Sequence, residues 1–146
     1  MDGVLAGPGA ADGSGDPARR VTALVIDDNE RFRTALTRLL RRAGIDVLEA
    51  ADGARGIALV TQSRPDLVIT DIYMPGVGGL PTIAHLRTHW PQLRIVAISG
   101  ADAPVVDLAR RSAELGADAF LSKPFDLEQL MKLIEPSAPS SVRTVP

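Results

Sequence analysis

Five short apolar runs, spaced almost evenly along the chain, constrain its fold more than any other feature. They read ALVI (23–26), DVLEA (46–50), DLVIT (66–70), RIVAIS (94–99) and AFLS (119–122). Each has the length and composition of a strand buried on both faces. Between these runs the spacing of apolar residues becomes helical. Phe32, Ala35, Leu36, Leu39, Leu40 and Ala43 recur at three- and four-residue steps, which predicts one buried helix face that stops at Gly44. Ile57 and Val60 mark a weaker second helix after Gly53. Leu80, Ile83, Leu86 and Trp90 mark a third, ended by Pro91 because a residue before proline prefers extended backbone. Val105, Leu108, Ala109 and Ser112 mark a fourth; Leu127, Leu130, Met131 and Ile134 mark a fifth, with Asp126 as its N-cap. Buried strands alternating with helices predict an α/β protein, a (βα)5 doubly wound parallel sheet of five strands covered on both faces.

The flanks differ in composition. MDGVLAGPGAADGSGDPARR has no period and few residues large enough to offset the entropy of ordering it, so residues 1–20 are expected to be a disordered leader. PSAPSSVRTVP has linker composition, so 136–146 is expected to be a flexible tail and 21–135 the folded domain. A chain of 146 residues with 45% apolar content suits one core. Sixteen basic against eighteen acidic side chains give no global field for nucleic acid or an anionic membrane. Without cysteine there is no disulfide framework and no thiolate metal site. There is no signal-peptide pattern, and no apolar run approaches the roughly 18 residues of a membrane span. The expected setting is cytoplasmic.

In an open parallel sheet the ligand lies outside the carboxyl ends of the strands, where strand order reverses. The first strand ends in Asp27 and Asp28, the third in Asp71, the fourth in Ser99 and the fifth in Lys123. Three carboxylates in one crevice repel and raise one another's pKa unless a hard divalent cation neutralises them. Mg²⁺, with Mn²⁺ as the alternative, fits: it takes oxygen ligands and leaves positions for water or phosphate. VIDDNE (25–30) has a plainer use as well, since Asp28 or Asn29 can cap the following helix.

Taken together, VIDDNE, DIYMPGVGGL (71–80), AISGA (97–101) and FLSKPF (120–125), in this order at successive strand ends, resemble the CheY-like receiver domain of bacterial two-component response regulators. The resemblance spans Val21 to Glu135 and implies a flavodoxin-like receiver fold. It implies that Asp71 is the phosphoacceptor, taking a phosphoryl group from a phosphohistidine of a histidine kinase or a histidine phosphotransfer protein. Asp27, Asp28, Asp71 and the Tyr73 backbone carbonyl are then the Mg²⁺ ligands. Lys123 and Ser99 contact the phosphoryl group, and Ser99 with Phe120 forms the switch. Tyr73 and Ala101 occupy the positions that tune phosphorylation lifetime. Ala101 has no group to hold an attacking water and Tyr73 is bulky, so slow self-hydrolysis is expected. Relatives often have a cis bond before the proline at Lys123-Pro124. Two departures stand out: Gly78 replaces an acidic or amide residue, and Ser99 replaces the commoner threonine while keeping the donor.

The resemblance further implies a phosphorylation switch rather than an enzyme, a monomer or a phosphorylation-linked dimer that signals to a downstream protein. That contact usually uses the fourth helix, fifth strand and fifth helix. The first helix, with Arg31, Arg38, Arg41 and Arg42, is the usual docking face for the kinase. No helix-turn-helix or catalytic pattern follows Glu135, so a single-domain regulator is expected. One alternative is a receiver fragment of a longer regulator, with PSAPSS as the start of a linker to an output domain. The enzymatic alternative is a Mg²⁺-dependent phosphatase of the haloacid-dehalogenase type. That chemistry needs an acid two residues beyond the nucleophile, where this chain has Tyr73.

Overall fold

The strands are β1 (Thr22–Ile26), β2 (Asp46–Ala50), β3 (Leu67–Asp71), β4 (Arg94–Ser99), β5 (Ala119–Ser122) and β6 (Arg143–Val145). The helices between them are α1 (Glu30–Arg42), α2 (Gly53–Ser63), α3 (Gly79–His89), α4 (Val105–Leu115) and α5 (Leu127–Ile134). They come from a computed structural model that describes residues 20–74, 76–100, 103–134 and 143–145. The leader expected over 1–20 (all but Arg20), Ala101, and 136–142 and 146 of the tail lie outside the described residues.

All neighbouring strands pair in parallel in the order β2-β1-β3-β4-β5-β6. Alternate residues of each strand feed two separate cores, as the two-residue repeat of a strand requires. Leu24, Ile26, Val68, Ile95, Ala97 and Phe120 pack with Val60, Ile83, Leu86 and Leu108 of α2, α3 and α4. Ala23, Val25, Ile69, Val96, Ile98 and Leu121 pack on the opposite face with Leu36 and Leu40 of α1 and Leu130 and Leu133 of α5. Chain order reverses between β1 and β3, because β2 lies on one side of β1 and β3 on the other. That is the switch point where a ligand crevice forms in such sheets.

Caps are local and strong. Asn29, not Asp28, caps α1: its side chain accepts from the Phe32 amide at 3.0 Å. Asp126 begins α5 as expected, in a reciprocal box with Gln129. The Lys123–Pro124 bond is cis. No helix among the described residues is long and apolar enough to cross a membrane.

Two sequence expectations are corrected, and one strand is added. In α1 the buried side chains are Leu36, Thr37 and Leu40, while Ala35 and Ala43 are exposed and Leu39 is 41% exposed. The helix seats a narrower stripe than its apolar residues offer, and that stripe includes a threonine. In α5 the fully seated residues include Leu133, with Leu127, Met131 and Ile134 at the margin. All five predicted strands are present, and residues 143–145 form β6 beside them, pairing Ala119 with Arg143, Phe120 with Thr144 and Leu121 with Val145. Without β6, β5 would present an open edge of unpaired backbone groups, and any extended segment within reach is favoured there.

Candidate functional site

Register sets the site before any side chain is considered. Ile26 pairs with Thr70, Asp71 with Ile98 and Ser99 with Ser122, so β1, β3, β4 and β5 finish at one end of the sheet. The residues that follow or complete these strands therefore meet: Asp27 and Asp28 after β1, Asp71 on β3, Ser99 on β4, Lys123 after β5.

The structure brings the three acids together. One carboxylate oxygen from each of Asp27, Asp28 and Asp71 lies within 4.8 Å of the others. Asp27 is fully buried, Asp71 nearly so, and Asp28 is exposed at the rim. Asp27 is held on both sides: its Oδ1 accepts from the Asn29 amide at 2.9 Å, and its carbonyl accepts from Arg33 at 2.7 Å. Asp28 has no hydrogen bond or ion pair among the described residues, since Asn29 does the capping.

Lys123 spans the two buried acids, with Nζ 2.9 Å from Asp27 Oδ2 and 3.4 Å from Asp71 Oδ2. Its ammonium also sits 4.0 Å from the centre of the Phe32 ring, which in turn packs edge-on against Phe125. Burial, then the charge of Asp27, raises the pKa of Asp71 above its ordinary value; Lys123 and the Tyr73 amide, 3.3 Å from Oδ1, act in the opposite direction. Three carboxyl groups face one ammonium, so the pocket holds more acidic than basic groups. The donor set fits a hard divalent cation: oxygen only, converging, and undercompensated.

Ser99 is fully buried at the end of β4 and its hydroxyl has no partner. A buried hydroxyl without a partner is unfavourable by about 1–3 kcal/mol. Phe120 is fully buried in the core beneath α4. Tyr73, two residues beyond Asp71, is 56% exposed. Gly79 opens α3 directly against the Asp71 backbone, where a Cβ would overlap the Asp71 carbonyl oxygen. Glycine there lets α3 start close under the acid.

Phe32 and Arg33 are residues of this site that the sequence did not reveal. Phe32 read only as part of a helix stripe, and Arg33, which also pairs with Glu49 at 3.1 Å, carried no pattern of its own.

These features define a doubly wound α/β protein whose acids, gathered with a lysine at the switch point, could hold a metal ion. Comparison with known proteins narrows this. The family described as the response regulator receiver domain matches residues 23–135. A DNA-binding transcriptional regulator, NtrC of Azospirillum brasilense, is 37% identical over 114 residues, covering 78% of this chain but 23% of that protein. Sporulation initiation phosphotransferase F of Bacillus subtilis is 28% identical over 116 residues, covering 80% of this chain and 92% of that protein. A response regulator from Burkholderia pseudomallei, crystallised with a phosphorylated aspartic acid, calcium ion and citrate, superposes with a TM-score of 0.73 at 28% identity, over 80% of this chain and 67% of that one. The chain belongs to the response regulator receiver domain family, whose members are phosphoryl-accepting signalling domains.

Proposed function

We propose that Asp71 is the phosphoacceptor of a signalling switch charged by a phosphohistidine on a histidine kinase or a histidine phosphotransfer protein. A carboxylate oxygen of Asp71 attacks phosphorus, the phosphorus–nitrogen bond breaks, and the imidazole departs neutral, keeping the proton already on its other ring nitrogen. The product is an acyl phosphate on Asp71. Lys123, already 3.4 Å from Asp71 Oδ2, is the cation that meets a phosphoryl oxygen, and the unpartnered Ser99 hydroxyl donates to another. Asp27, Asp28, Asp71 and the Tyr73 carbonyl would hold Mg²⁺, which when bound neutralises charge on the transferring group. The observation that carries this reading is the lysine bridging two buried acids with a third, unengaged acid at the rim. The phosphorylated aspartic acid in the Burkholderia pseudomallei neighbour supports it.

Placing charge between Ser99 and Lys123 biases the end of β4, and Phe120, paired with Ala97 two residues earlier, is the side chain that reports it. Tyr73 and Ala101 set the lifetime of the phosphorylated form. The output is contact with a downstream protein, and the arginines of α1 meet the phosphodonor. The chain covers less than half the length of several curated relatives, so an output domain in the same polypeptide is an alternative carrier of the signal. A hydrolase reading is disfavoured because Tyr73 stands where a general acid is needed.

The test is mass spectrometry after incubation with acetyl phosphate and Mg²⁺. One phosphoryl increment is expected on the wild type and none on Asp71→Asn. An equal increment on the variant would move the acceptor elsewhere, and continuous turnover of a generic phosphomonoester would revive the hydrolase.

A further inference from the structure

The only two histidines of the chain lie four residues apart on α3, and neither belongs to the acidic crevice. We propose that His85 and His89 form a two-nitrogen site for a borderline divalent transition ion such as Cu²⁺, Ni²⁺ or Zn²⁺. Residues four apart on a helix share one face, and here the imidazole rings already stack, with centroids 4.2 Å apart and planes 24° from parallel. Both side chains are exposed. An ion therefore need not displace packed structure to reach them.

The tautomer of His89 is fixed by its neighbour. Nδ1 lies 2.9 Å from the carbonyl oxygen of His85. A carbonyl only accepts, so Nδ1 carries the hydrogen and the Nε2 lone pair points away, free to bind. Metal-binding histidines are commonly oriented in this way, donating the second ring nitrogen to a carbonyl or carboxylate. The His85 ring has no hydrogen bond among the described residues, so it can turn about its Cβ–Cγ bond to aim its own lone pair at the same point. Two nitrogens then close a chelate, and water fills the other positions.

The electrostatic setting permits a cation. His89 is the last residue of α3, where the unpaired carbonyls of the helix end carry partial negative charge. Arg64 and Asp66 line the cleft beside His89 with opposite signs, and Arg87 is engaged with Asp118. Nitrogen ligands also separate this site from the first one: imidazole favours Cu²⁺ and Ni²⁺ over Zn²⁺ in the usual order, and Mg²⁺ prefers oxygen. The two sites lie at opposite ends of α3, since Gly79 abuts Asp71 and His89 ends the helix.

Trp90, the only tryptophan, reports the site directly, with its ring centroid 5.8 Å from that of His89. The test is a CuCl₂ titration of the full chain in excess Mg²⁺, followed by tryptophan fluorescence. Saturable quenching at one equivalent is expected in the wild type. His85→Gln and His89→Gln should each raise the midpoint by about tenfold or more, and the double variant should abolish saturation. Circular dichroism should be unchanged in all three, and retention on a Ni²⁺ column should fall in the same order. Quenching in the double variant equal to the wild type, or quenching in the wild type that rises without saturating, would overturn the proposal.

Discussion

The surroundings of Asp71 disfavour its ionised form. Burial and the Asp27 charge raise its folded-state pKa above 3.8, the value it recovers on unfolding. Between that value and the raised one, the folded protein binds more protons than the unfolded chain. Stability contributed below pH 3.8 is therefore lost as pH rises through this window. Asp71→Asn carries no charge and does not titrate. In EDTA it should be more stable than the wild type at neutral pH, with the difference vanishing below pH 3.8, as read by urea unfolding at a series of pH values. Parallel curves at every pH would show that Asp71 ionises as freely as in the unfolded chain. Lys123 acts in the other direction. Removing it as Lys123→Met leaves the buried Asp27 carboxylate without the ammonium now 2.9 Å away, and should destabilise the metal-free protein by about 2–3 kcal/mol. Added Mg²⁺ should recover most of that loss in the same unfolding assay, because the ion supplies the missing positive charge.

Between elements, a single side chain joins three segments. Arg87 of α3 donates to the Gly116 carbonyl at 2.9 Å and to the Pro91 carbonyl at 2.6 Å, and pairs with Asp118 at 2.8 Å. The same Asp118 oxygen accepts from the Ile95 amide at 2.8 Å. The end of α3, the start of β4 and the α4–β5 turn are thus tied through one guanidinium. Arg87→Ala should cost about 2 kcal/mol in urea unfolding, and Arg87→Lys should recover little, because a point-like ammonium cannot serve a forked set of acceptors. Full stability in the alanine variant would show the clamp to be idle. This clamp also shows where sequence reading stops. Strands, helices and acids at strand exits were legible because each is written locally, in an apolar run and the polar residue that ends it. Arg87 and Asp118 are 31 positions apart and acquire meaning only when α3 docks. The stripe of α1 was misjudged for a related reason: Leu39 is apolar at the right spacing, yet whether the stripe reaches it depends on how α1 sits on the sheet. β6 was missed because a three-residue Arg-Thr-Val segment gains strand character only from the open edge beside it.

At the scale of the whole molecule, the acidic crevice exists only when the sheet does. Asp27 and Asp28 come from the end of β1, Asp71 from β3 and Lys123 from beyond β5, so in the unfolded chain these groups are dispersed and no cation site remains. An ion that binds only the folded form stabilises it by mass action, by about 2.7 kcal/mol at a hundredfold excess over its dissociation constant. Mg²⁺ should therefore raise the thermal midpoint in a concentration-dependent manner. NaCl at matched ionic strength separates this from screening of the repulsion among the three carboxylates, which would also relieve strain in the pocket. Asp28→Asn is the most informative variant, because Asp28 is exposed, caps nothing and pairs with nothing among the described residues, so the fold does not depend on it. It should keep the metal-free midpoint or raise it slightly, and lose most of the Mg²⁺ increment. If the increment survives in Asp28→Asn, or NaCl reproduces it in the wild type, the three acids are not acting as one cation site, and the adjacent aspartates after β1 need another explanation.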